Sequence, residues 1–335
     1  MVRVMKRMFA VALLSCSCIK GEDATPFTVW SGWNHTWDML SHRVSLIRVK
    51  SNNDATAESG ILGGDWSTGA TWSDSVRYRI HNQTVSSHLL SAQHGEAILT
   101  IGPDGTGTTT VEIDDFNADV VLLSGFEINT DIEQSSEYPD NYDPALGYTS
   151  RGFGMAVELN ENGDVDVTGS VRWGPRDRED MNEALRHAQS QLTVWWTAIS
   201  GVDATESFHM VKSQDLAHDP PNSEQSSLSE VLPWNGTGIA GISGFDLNLF
   251  DTDGGEGGDY LRSFGVEMVP NRNASAPEVL SSEILTYSAL ELGTMSMDVE
   301  AHAVWIPLKQ YQVEVTSWEG IHDIGAHNIA EFSEP

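Results

Sequence analysis

The chain has 335 residues, enough for two or three domains, and carries 18 basic against 49 acidic side chains, a formal net charge of −31. So acidic a surface repels phosphate backbones and anionic lipid, which argues against a nucleic-acid partner and against direct contact with a membrane. The two cysteines, Cys16 and Cys18, both stand near the start, so the mature fold is expected to rest on core packing rather than on disulfides.

Residues 1–24 read as an export signal: Arg3, Lys6 and Arg7 precede a short apolar run from Met8 to Leu14, too short to span a bilayer. Leu13-Leu14-Ser15-Cys16 resembles the lipobox of bacterial lipoproteins, which implies lipidation of Cys16 and an anchor at the cell envelope or surface. The alternative is an ordinary secretory signal cleaved near Gly21. Either way the signal takes four basic residues with it (Arg3, Lys6, Arg7 and Lys20) and only two acids, leaving a still more acidic protein.

Beyond the signal, short runs of alternating apolar residues separated by Gly, Asn, Asp and Pro predict an all-β, antiparallel protein. Residues 25–93 form a Trp-rich N-terminal β region, with strands expected at Arg43–Lys50 and Val76–Ile80. Its Trp30, Trp33, Trp37, Trp66 and Trp72 could make a stacking platform or fill a small core. "IGPDGTGTTTVEI" predicts a hairpin bending at Pro103-Asp104-Gly105, and "FGMAVELNENGDVDVTGSVRW" one bending at Asn162-Gly163. Met181, Leu185 and Ala188 suggest one helix over Asp177–Ala188. The tail, residues 311–335, offers a single strand, "YQVEV", before a polar end.

Three stretches recur in order. "VVLLSGFEIN" is echoed by "IAGISGFDLN", "SRGFGMAVE" by "LRSFGVEM" (Phe153 and Phe264), and "LTVWWTAI" by "HAVWIPL" (Trp195 and Trp305). Their order and residue types predict a tandem duplication, with one antiparallel β-sandwich over residues 94–201 and a second over 202–310.

Read in order, "TTVEIDDF", "ADVVLLSGFEI", "SRGFGMAVE", "VRW" and "LTVWWTAI" resemble the H-type lectin family, typified by snail agglutinins. The resemblance covers about Thr108 to Ile199 and, more faintly, Ile239 to Leu308. It implies six-stranded antiparallel sandwiches, assembly in trimers, which the repeated chain would partly replace, and recognition of galactose-type sugars. An arginine at the start of the third strand and a tryptophan at the end of the next hold the sugar in that family. Here the matching residues are Arg151 and Trp173 in the first unit and Arg262 and Tyr287 in the second, with Asp104 the nearest match for an acid from an early loop. The chemistry stands on its own: a planar guanidinium binds vicinal hydroxyls through fixed donors, and a sugar's C–H face stacks on an aromatic ring. Gly174 and Ser288 follow the aromatic residues where the family often has histidine, which removes one donor.

No cofactor is expected: Asp251, Asp253, Glu256 and Asp259 in the glycine-rich "DTDGGEGGDY" are candidate calcium ligands, the alternative being an acidic, solvated loop. His322, Asp323 and His327 stand close together without the HExxH spacing of a zinc site. The chain has no G-x-S-x-G elbow and no phosphate loop. The sequence therefore leads to an exported, non-catalytic carbohydrate-binding protein whose partners are glycans or glycoconjugates, touching a membrane only through a lipid anchor and able to form a homo-oligomer. The alternative is a structural surface or adhesion protein whose sandwiches make protein–protein contacts.

Overall fold

The computed structural model describes residues 26–37, 43–54, 56–64, 75–102, 104–113, 115–129, 149–174, 191–202, 208–218, 224–230, 238–251, 259–270, 277–288, 295–308, 313–325 and 329–334. The expected helix over Asp177–Ala188 lies outside these residues, as does the whole of the signal segment with Cys16.

Alternating sequence becomes strand throughout the described residues. In chain order the strands are β1 (Phe27–Trp37), β2 (Arg43–Ser51), β3 (Thr56–Gly64), β4 (Ser75–Ser87), β5 (Ser91–Thr100), β6 (Thr106–Val111), β7 (Val120–Asn129), β8 (Thr149–Leu159) and β9 (Val165–Gly174). There follow β10 (Gln191–Ser200), β11 (Phe208–His218), β12 (Glu224–Glu230), β13 (Gly238–Asp251), β14 (Asp259–Pro270), β15 (Pro277–Ser288), β16 (Met295–Pro307), β17 (Val313–Gly325) and β18 (Ile329–Ser333). The protein is all-β, and every pairing is antiparallel.

The strands form three six-stranded sheets: β12-β15-β14-β1-β4-β17, β18-β3-β2-β7-β10-β5 and β11-β16-β13-β8-β9-β6. Advancing every strand number by six, with β18 followed by β1, turns each sheet into another. The described residues thus contain three runs of six strands in one topology: β5–β10, β11–β16, and a third that begins with β17 and β18 and continues through β1–β4. In each run the third, sixth and first strands make one half-sheet, and the fourth, fifth and second make the other. Each third strand then hydrogen-bonds to the fourth strand of a different run, joining half-sheets into full sheets.

The three junctions share one register. Lys50–Leu46 of β2 faces Gly125–Asn129 of β7, Ala156–Gly152 of β8 faces Gly244–Asn248 of β13, and Glu267–Ser263 of β14 faces Gly32–Thr36 of β1. The C-terminal tail is therefore more than one strand. β17 covers the edge of β4 and β18 covers the edge of β3, so the last residues complete the run to which the N-terminal strands belong.

The repeated Ser-Gly-aromatic triplet sits where the sheets meet. Ser31, Ser124 and Ser243 each lie at a bulge in the pairing of a third strand with its sixth, and each is followed by glycine and then by an aromatic ring. Gly125 has φ near +151°, and a Cβ there would stand 2.2 Å from the Val49 carbonyl oxygen, so no other residue fits. The rings that follow, Trp33, Phe126 and Phe245, touch one another with centroids 5.1, 5.6 and 5.8 Å apart. Phe153 packs against all three.

A second, separate cluster includes Phe27, Val120 and Ile239 from the three third strands and Val85, Ile199 and Ile306 from the three sixth strands. Third strands are thus buried on both faces, toward their own sandwich and toward the common centre. That explains why β7 begins as the unbroken apolar run VVLL. Trp30 and Trp33 are fully buried, so two of the N-terminal tryptophans are core residues rather than a platform. Trp66 and Trp72 lie outside the described residues.

The Asn162-Gly163 hairpin joins β8 to β9: Asn160 exchanges backbone bonds with Asp164 and Gly163, and Gly163 takes a φ of +86°. The bend at Asp104-Gly105 also forms, but it is not a hairpin within one sheet, because β5 and β6 enter different sheets.

Candidate functional site

Trp173, near the end of β9, is paired with Ser150 of β8, and Arg172 is paired with Gly152. Arg151 is therefore the unpaired residue of a bulge, beside the backbone of Trp173. β6 lies on the other side of β9, and the Val171 N–H donates to the Gly105 carbonyl at 2.9 Å. The turn holding Asp104 thus reaches the same end of the sheet, and the backbones of Arg151, Trp173 and Asp104 come together. The exposed Asp104 carboxylate has a structural task there, since Oδ1 accepts a bond from the Thr106 N–H at 3.1 Å. The side chains of Arg151, Trp173, Arg262 and Tyr287 lie outside what is described.

In the second unit the bulge recurs: Leu261 pairs with Thr286 and Ser263 with Leu285, leaving Arg262 between them. Tyr287 pairs with Tyr260, so it stands one position beyond the place of Trp173, which Thr286 fills. In the third unit the same bulge falls between Val44 and Leu46 and its residue is Ser45. Arginine thus occupies two of three equivalent positions. The third was not legible in the sequence because serine carries no sugar-binding signal.

Of the candidate calcium ligands, Asp253 and Glu256 lie outside the described residues, while Asp251 ends β13 and Asp259 begins β14. Among the described residues no three His, Cys, Asp or Glu side chains gather as a metal site would require. His327 likewise falls outside the description, while His322 and Asp323 stand on β17 opposite Tyr78 and Arg77.

No family model, curated protein or solved structure matches this chain. Its sites are therefore read from their own chemistry.

The structure shows a second feature that the sequence did not single out, an open groove of about 270 Å³ on the sheet that holds β2, β7, β10 and β5. One row of the pairing crosses it: Lys50, Gly125, Trp195 and Glu96 are successive neighbours on the four strands. The half-buried Trp195 donates its indole N–H to Glu96 at 3.0 Å, and the Lys50 ammonium lies 4.8 Å from the centre of its ring. Gly125 contributes no side chain, which is what lets Lys50 reach across. Beneath the row, His94 Nδ1 is 2.8 Å from the Thr197 hydroxyl, which also bonds Ser124. Burial pushes the His94 pKa down to about 4, so the imidazole is neutral near pH 7.

Proposed function

We propose that the protein binds glycans reversibly, without catalysis, through the two bulged arginines, Arg151 and Arg262. The observation that carries this reading is the identical place of the two arginines in the pairing, each unpaired in a bulge near the start of its strand, with Trp173 beside Arg151 and Tyr287 one position further along beside Arg262. A bulge frees a residue from the regular ladder and re-aims it, a common device at binding sites. A guanidinium beside an aromatic residue then offers the two things a pyranose needs, a fork of donors and a flat apolar face.

The architecture supports the same reading. The H-type lectin resemblance implies six-stranded units assembled in threes, and this chain supplies three six-stranded runs about a shared aromatic centre. Two sites held rigidly on one body would gain avidity on a branched or repeating glycan. Export and anchoring through Cys16 belong to this proposal, since they would present the sites outside the cell.

The test is a glycan array with the mature protein, in the presence of calcium and of a chelator, repeated with Arg151→Ala. Galactose-type glycans should be retained, with weaker signal for the variant. Absence of binding to every glycan in both conditions would remove this reading and leave the structural adhesion protein.

A further inference from the structure

The groove on the β2-β7-β10-β5 face lies at the other end of its sheet junction from the bulge, five residues or about 16 Å along β2 from Ser45 to Lys50 on the strand rise. The bulged arginines stand on the other two sheets, Arg151 on β8 and Arg262 on β14, so the groove is a separate site. Its charges are ordered: Lys50 at one side, Glu96 at the other, and the Trp195 ring between them. Three interstrand steps put the backbones of Lys50 and Glu96 about 14 Å apart.

In a chain with 49 acids and 18 bases, carboxylate partners are abundant. Arg48 is paired with Glu58 and Glu127, and Arg79 with Glu319. Among the described residues no carboxylate pairs with Lys50, whose ammonium rests on the ring instead. An ammonium without a counter-charge is a ready partner for an anionic group on a ligand. Glu96 stands on the other side of Trp195, where one of its oxygens accepts the indole N–H. The exposed Asn53 adds an amide donor and acceptor to the rim on the Lys50 side, where Asn52 is held by Thr56 and Glu58.

We propose that this groove binds an acidic saccharide, with the carboxylate of a uronic-acid-type residue on the Lys50 ammonium and a sugar ring against Trp195. The proposal takes only the ligand class from the glycan-binding reading above. It adds a different site and a different charge class. A ring with a carboxylate and several hydroxyls matches a groove that offers one cation, one aromatic face, an amide and a carboxylate acceptor.

The experiment is a titration of the full chain, followed by tryptophan fluorescence and by calorimetry, with trigalacturonic acid, with its methyl ester and with galactose. The acid should bind at least tenfold more tightly than its ester. Lys50→Met, which keeps the apolar stem, and Trp195→Phe should each weaken acid binding at least tenfold, with far-UV circular dichroism unchanged. The double variant Arg151→Ala/Arg262→Ala should bind the acid as the parent does. Equal affinity for acid and ester, unchanged binding by Lys50→Met, or loss of acid binding in the arginine double variant would each overturn the proposal. If galactose binds and the acid does not, this site fails while the reading of the bulged arginines stands.

Discussion

The Trp33 ring meets the Phe126 ring edge-on, with centroids 5.1 Å apart, and each ring follows a Ser-Gly pair on the third strand of its own run. Phe245 closes the triangle. A residue that touches two other runs at once couples all three, so its loss should be felt by the whole body.

Phe126→Ala should destabilise the protein by about 3–5 kcal/mol, because a fully buried ring leaves a cavity lined by rings that cannot all move in. Phe126→Leu should cost less than half of that. Denaturant unfolding, followed by fluorescence and by circular dichroism, checks both, and the two probes should report one coincident transition. A cost under 1 kcal/mol for the alanine variant would mean that the centre is not a shared core.

Gly125→Ala introduces a Cβ against the Val49 carbonyl at a backbone conformation that L-residues avoid. The expected loss is about 2–4 kcal/mol, well above the usual effect of a glycine change at a surface turn such as Gly163. Amide exchange should quicken first along β2 and β7, whose junction the new methyl group forces apart.

Stability should also depend on pH through His94. Its folded pKa of about 4 is below the unfolded value of 6.5, so the unfolded chain binds the proton more readily between those limits. Stability is unaffected above pH 6.5 and falls as pH drops toward 4. The groove is partly open to solvent, so the loss is of the order of 1–2 kcal/mol after screening. Since carboxylates begin to titrate in the same range, the informative quantity is the difference between the parent and His94→Gln, and the variant should show the shallower slope.

Removing residues 313–335 should strip β17 from β4 and β18 from β3, leaving two long open edges. The truncated chain should aggregate or exchange strands between copies. A circular permutant that places residues 313–334 before Phe27 should fold as a monomer. Sedimentation and circular dichroism distinguish these outcomes.

The all-β class was legible because alternation and turn residues are local signals: Asn162-Gly163 marks its hairpin on its own. The Ser-Gly-Phe echo was legible too, and the pairing places Ser124-Gly125-Phe126 and Ser243-Gly244-Phe245 at equivalent positions. The tryptophan echo was misleading. At the bulge Gly125 faces Trp195 and Gly244 faces His302, so Trp195 corresponds to His302 rather than to Trp305. The third run escaped notice for two physical reasons. Its triplet reads Ser31-Gly32-Trp33, with a different ring, and its first two strands lie at the far end of the chain, where no scan for a linear repeat would join them to β1. The groove escaped because its row of Lys50, Trp195 and Glu96 is assembled by strand pairing from segments remote in sequence.

The bulged arginines are tested most directly by counting bound sugars. Native mass spectrometry of the monomeric chain with a galactose-type oligosaccharide should show two bound ligands, one in Arg151→Ala and none in Arg151→Ala/Arg262→Ala. Three equivalent sites, or an unchanged count in the double variant, would contradict the account.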